Sequence, residues 1–125
     1  MNDQTIEQEI IAKGKTAPRI TPADIEANID SEHYFTAEDG VNGAAENGGQ
    51  QVIIHSPDFI DYDEHLSLLT FCVLVLRNGF TVTGESACAS PENFDAEIGR
   101  KIARQNAVAK IWPLMGYELK TKLNG

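Results

Sequence analysis

The chain has 125 residues, 42% apolar and 23% charged, enough for one small domain with a modest core and too few for two. Nineteen Asp and Glu against ten Lys and Arg leave a net charge of −9, which argues against a protein that coats duplex nucleic acid or clings to an anionic membrane. The longest apolar run, Leu68 to Leu76 broken by Thr70, falls short of the roughly 20 residues that span a bilayer.

The first ten residues, MNDQTIEQEI, are polar and acidic and lack the features of a secretion signal, so the cytosol is the expected compartment. The charge is uneven: residues 1–90 hold 4 basic and 15 acidic side chains, residues 91–125 hold 6 and 4. Two cysteines, Cys72 and Cys88, are too few for a disulfide framework and are expected as free thiols.

In chain order, residues 1–20 place Ile6, Ile10 and Ile11 at helical spacing before Gly14 and Pro18, which predicts a short helix or an N-terminal arm. Thr21-Pro22 with Asp24 reads as a cap, a proline at the first helical position and an acid in the first turn, opening a helix from Pro22 to about Glu32. Residues 36–50, TAEDGVNGAAENGGQ, have the composition of a glycine-rich loop. Val52 to Ile54 predict a short strand ended by Ser56-Pro57, and Asp58 to His65 a connector or a single helical turn.

Leu68 to Cys88 is the clearest signal, two apolar strands around Asn78-Gly79, the dipeptide favoured in a two-residue hairpin loop. That loop would pair Val75 with Val82 and Val73 with Gly84, and set Leu74 and Leu76 opposite Thr83 and Thr81. Both faces of the first strand are apolar, which calls for a cover on each, one of them a subunit interface or the N-terminal segment. Ser90-Pro91-Glu92 opens the longest helix, expected to end near Ile111 before Pro113, with Phe94, Ile98, Ile102, Val108, Ala109 and Trp112 on its buried face. The tail Tyr117 to Leu123 alternates and predicts a final strand. The fold class is therefore α+β: an antiparallel hairpin or small sheet packed against a long C-terminal helix, with a short N-terminal helix, in one domain over residues 1–125.

No phosphate-binding glycine loop, nucleophile elbow or metal-binding motif occurs, and no catalytic residue, metal or cofactor is assigned. Asp58, Asp61, Asp63, Glu64, His55 and His65 supply ligand types of a metal-dependent hydrolase without its spacing; a solvated acidic loop explains them equally well. Arg77, Phe80, Asn93, Phe94, Arg100, Arg104 and Lys110 are the side chains an anionic-ligand site would draw on, guanidinium forks for phosphate, an amide for a base edge and rings for stacking. An ordinary solvated helix face and core aromatics are the plain alternative.

The ordered set Asn78-Gly79-Phe80, Glu85 to Cys88, Pro91 to Asp95, Lys110 to Trp112 and Gly116-Tyr117 resembles a family of small proteins of tailed phages and prophages, over a core of roughly residues 66–123. That family is similar to the anti-Thoeris signal sponges, which bind and sequester cyclic ADP-ribose isomers, some also cyclic oligonucleotides. The resemblance implies a non-enzymatic homo-oligomer in the host cytoplasm that holds a small anionic cyclic nucleotide near the hairpin and long helix, with Asn93 and Lys110 at matching positions. A metal-dependent phosphodiesterase and an acidic protein-binding inhibitor of a host factor are the alternatives.

Overall fold

The computed structural model of the protein describes residues 2–49, 51–55 and 62–125. Among the described residues, five α-helices and three strands follow one another as α1 (Asp3–Ala12), α2 (Pro22–Ala27), β1 (Ile29–Thr36), α3 (Ala37–Glu46), α4 (Tyr62–Ser67), β2 (Leu69–Leu76), β3 (Thr81–Ala87) and α5 (Ala96–Asn124). The strands form one antiparallel sheet in the order β1-β2-β3, and α5 lies across one face of it. The expected α+β architecture is present.

Its core forms where period-two strands meet a period-3.6 helix. Cys72, Leu74 and Leu76 of β2 and Val82 of β3 point to α5 and are buried, together with Ile25 of α2. On the helix the buried residues are Gly99, Ala103, Ala107 and Ile111, one stripe at four-residue spacing. This corrects the expected buried face: Ile98 and Ile102 are 55% and 42% exposed. The reason is Gly84, opposite Cys72 in the register. A β-carbon there would lie 2.1 Å from the Ala103 carbonyl oxygen and 2.3 Å from the Ala107 nitrogen, so helix backbone rests directly on strand backbone. Only small side chains fit such a contact.

The hairpin register also differs from expectation by one residue. Leu74 pairs with Val82, Val73 with Thr83 and Val75 with Thr81. Gly79 donates its N–H to the Leu76 carbonyl (2.9 Å) and Leu76 donates to the Phe80 carbonyl (2.8 Å), and only Gly79 of the turn has a positive φ, +88°. The loop is thus the three-residue form, a tight turn closed by a left-handed glycine, rather than the two-residue form that needs positive φ at both positions. A one-residue slip exchanges the faces of a strand, and here it places Val82 and Gly84 under the helix with Leu74 and Cys72.

Other expectations change with tertiary context. The second helix ends at Ala27, and Ile29–Thr36 is an edge strand paired with β2, with a register shift between Ile29 and Ser31. The glycine-rich 36–50 segment is helical over Ala37–Glu46, started by a reciprocal cap in which Thr36 and Asp39 satisfy each other's backbone N–H. Residues 52–54 are exposed and carry no strand. Of the expected acidic connector, Asp58 and Asp61 lie outside the described residues, while Asp63, Glu64 and His65 belong to α4. Pro91–Asn93 is a 3-10 turn, and α5 begins at Ala96 with Asp95 accepting hydrogen bonds from the N–H groups of Glu97 and Ile98.

The helix then runs through Pro113 to Asn124, so the expected C-terminal strand is absent. Pro113 and Ala109, whose carbonyl loses its partner, both face solvent, where water replaces the missing hydrogen bond. Pro113→Ala is expected to stabilise the protein by about 2 kcal/mol, the helix-propensity gain of about 3 less the lost rigidity of the unfolded chain. Urea unfolding followed by circular dichroism measures it.

Candidate ligand-binding cleft

Because α5 continues past Pro113, its last turns lie beside the hairpin tip and the end of α2. The Arg77 N–H donates to both the carbonyl and the side-chain oxygen of Asn28 (3.0 and 3.3 Å), which ties the hairpin tip to the C-terminal cap of α2. Between these parts opens a cleft of about 500 Å³, within the range of small-molecule sites. Ile20, Met115 and Leu119 supply its apolar lining, and the amides of Asn28 and Asn78 its neutral polar groups.

Its charges are of unequal availability. Among the lining residues, Arg19, Arg77 and Lys122 stand against Asp24 and Glu118. Arg19 is clamped in two-pronged fashion by Glu7, whose carboxyl the guanidinium holds below its ordinary value. Lys122 pairs with Glu118 at 3.2 Å. The Arg77 guanidinium has no carboxylate partner among the described residues, so it is the group ready to meet an incoming anion.

The other predicted site residues divide among separate places. Phe80 is 56% exposed beside the turn, its N–H donating to the Asn78 side chain (2.9 Å). Asn93 is exposed on the 3-10 turn, and Phe94 and Arg100 line a cleft of about 110 Å³ with Tyr34, Thr36 and Thr70. Thr70 and Arg77 lie at opposite ends of the central strand, about 24 Å apart at ~3.4 Å per residue, so one small nucleotide on a single copy cannot reach both. Lys110 reaches round the β3 edge to within 3.5 Å of the Thr83 hydroxyl.

Arg104 is fully engaged. Its Nη atoms donate to both carboxylate oxygens of Glu26 (3.0 and 2.7 Å), and its Nε donates to Glu32 (2.8 Å). Tyr34 donates to the same Glu32 oxygen at 2.6 Å, so the cluster joins α5, α2 and β1. The Arg104 hydrogen bond, then that of Tyr34, hold the Glu32 carboxyl below its ordinary value of 4.5. Burial, then the Glu32 bond, push the Tyr34 phenol well up. Burial also raises the Cys72 thiol, and both cysteines are free.

This cluster makes stability depend on pH. A carboxyl with a lowered folded pKa contributes stability that is present above its unfolded value and is lost as the pH falls through the folded one. Melting temperature is expected to fall below pH 4.5 as Glu32 takes up its proton. Arg104→Ala should cost about 1–2 kcal/mol near neutrality, the partners' exposure tempering the loss, and flatten that acid limb. Thermal melts at pH 7 and pH 3.5 of both proteins check this; an unchanged acid limb in the variant would contradict it.

The cleft residues Ile20, Asn28, Met115 and Lys122 were absent from the predicted set. Trp112, Met115 and Leu119 at helical spacing and the Glu118–Lys122 pair were the signals that the helix continues. The metal-hydrolase set has Asp58 and Asp61 outside the described residues, and among the described ones no group of three or more His, Cys, Asp or Glu is placed to hold a metal ion. No helix among the described residues is long and apolar enough to cross a membrane.

Compared with known proteins, the chain matches no curated protein and no solved structure. A family model does match it, from the segment before α2 to the last turn of α5, over residues 20–123. With the whole sheet, all but the last residue of the long helix and every cleft-lining residue except Arg19 inside that span, the chain belongs to the Phage protein (N4 Gp49/phage Sf6 gene 66) family.

Proposed function

We propose that the protein binds a cyclic nucleotide signal of host immunity, a cyclic ADP-ribose isomer or a cyclic oligonucleotide, and sequesters it without cleaving it. The observation that carries this reading is Arg77, whose guanidinium has no carboxylate partner among the described residues, lining a cleft with apolar side chains and two amides. A phosphate takes the guanidinium fork bidentately, ribose hydroxyls and base edges take the amides, and the flat apolar parts cover Ile20, Met115 and Leu119. Membership in a phage family fits a target in the infected cell, and host cytoplasm is the proposed place of action.

Sequestration works by mass action. The protein must be abundant and tight, and nanomolar affinity corresponds to about −12 kcal/mol. A cleft open on one side buries too little ligand for that, so a second copy closing it belongs to the proposal. Calorimetric titration with cyclic ADP-ribose isomers and cyclic di- and trinucleotides tests the reading. It predicts a submicromolar dissociation constant for at least one of them; heats indistinguishable from buffer for all would overturn it.

A further inference from the structure

Helix α1 rests on the body through a few ties. None of its residues is buried. Asp3 accepts a hydrogen bond from the Trp112 indole (3.2 Å), Glu7 holds the Arg19 guanidinium with both carboxylate oxygens, and Ile6 and Ile10 face Ile20, Pro22 and Trp112 across a crevice of about 90 Å³ that the helix does not fill. Unfilled space forgoes dispersion contacts, so the two polar ties matter more to the docking than they would in a packed core. Both α1 and Arg19 precede residues 20–123, the span shared with the family.

The tie to Arg19 bears on the hairpin-tip cleft. Arg19 lines that cleft with Arg77, whereas Glu7 reaches it from α1 and is not part of the lining. Both terminal nitrogens of Arg19 are taken by Glu7, so a phosphate seeking the same two-pronged contact has to displace the carboxylate. The other charges of the cleft are committed within it: Asp24 accepts from the Thr21 N–H (2.9 Å), and Glu118 pairs with Lys122. Exchange at Arg19 is therefore the step that gives the cleft a second cation for an anion. The ligands of the proposed function call for one, since a cyclic ADP-ribose isomer carries a diphosphate bridge and a cyclic oligonucleotide two or more phosphodiesters.

We infer that Glu7 stands in for the ligand's second phosphoryl group: it occupies Arg19 in the free protein, a ligand with two phosphoryl groups takes Arg19 from it while Arg77 holds the other, and α1 is released as the ligand binds. The inference rests on the proposed cleft and adds to it a second contact residue and a competing carboxylate. Because the pair must break before Arg19 serves the ligand, the apparent affinity is lowered by the fraction of molecules in which Arg19 is held.

Inorganic pyrophosphate, titrated into the full chain at constant ionic strength, is the probe, and Trp112 is the reporter. It is the single tryptophan, it is tied to α1 through Asp3, and it does not line the cleft, so its emission follows the helix rather than the ligand. Saturating pyrophosphate should shift the emission of the parent to longer wavelength. Glu7→Gln, with an unchanged circular dichroism spectrum, should bind pyrophosphate about 5-fold tighter or more. Glu9→Gln removes the same charge from a side chain of α1 paired with Lys13 and should leave the affinity within about 2-fold. Adding Arg19→Gln to Glu7→Gln should cancel the gain.

Equal affinities of the Glu7 and Glu9 variants, a gain that persists without Arg19, binding with unchanged Trp112 emission, or no pyrophosphate binding by any of these proteins would each overturn the inference. The same titrations with the cyclic nucleotides separate it from the capture reading. A cyclic nucleotide bound equally by the parent and by Glu7→Gln removes the role of α1 alone, whereas the Glu7 effect on pyrophosphate with no cyclic nucleotide bound removes the capture reading alone.

Discussion

Gly84→Ala is expected to lower the melting temperature by about 10 °C or more, from a loss of about 3 kcal/mol. In most strands this substitution is mild or favourable, since alanine restricts the unfolded chain more than glycine does. Here the sign reverses, because the added carbon meets the Ala103 carbonyl and the Ala107 nitrogen at 2.1 and 2.3 Å. Neither is a side-chain tip that can swing aside; both are backbone atoms of a long helix. Relief needs α5 to lift from the sheet, which uncovers Leu74, Val82 and Ile111, all buried. A melting temperature within 2 °C of the parent would show that the helix does not depend on this approach.

The largest effect on binding is expected from Arg77→Glu. Loss of a charge-assisted, two-pronged contact and its replacement by a like charge should weaken a bound cyclic nucleotide by about 100-fold or more, some 3 kcal/mol. Stability should change by no more than about 0.5 kcal/mol, because the residue is exposed and its guanidinium has no carboxylate partner among the described residues. Arg104→Ala should show the opposite division, a loss of stability with little change in affinity, since its guanidinium is held by Glu26 and Glu32. Titration and thermal melts on the two variants separate the roles. If Arg104→Ala abolished binding while Arg77→Glu left it intact, the cleft would be assigned to the wrong end of the molecule.

The elements legible in the sequence were those with strong local chemistry. Asn78-Gly79 between apolar runs announced the hairpin, and Thr21-Pro22 with Asp24 announced α2, whose reciprocal cap is present. The face of α5 was not legible, because its contact stripe is built from Gly99, Ala103 and Ala107, residues that carry little hydrophobic signal. Exposed Ile98 and Ile102 pulled the predicted face towards themselves. β1 was hidden for a related reason: an edge strand reading IDSEHYFT, mostly exposed, lacks the alternation that marks a half-buried strand. α3 carried its signal in Thr36 and Asp39, outweighed by the glycines that follow.

For the candidate cleft, Arg77 was legible as a cation at a hairpin tip. The surrounding wall was not, because it exists only if α5 passes Pro113, and proline ordinarily ends a helix. Asn28 enters through a contact between α2 and the hairpin that joins residues far apart in the chain. Arg104 shows the reverse. A guanidinium on a helix flank looks available in sequence, and folding commits it to two carboxylates from α2 and β1.

Capture without cleavage is tested most directly by recovery of the ligand. The protein is mixed in excess with each cyclic ADP-ribose isomer and cyclic oligonucleotide, filtered to remove free nucleotide, then heat-denatured, and the released molecules are identified by mass spectrometry. The account predicts that one nucleotide disappears from the filtrate and returns on heating at its original mass and in stoichiometric amount. Return at an altered mass, or no depletion of any member of the panel, would contradict it.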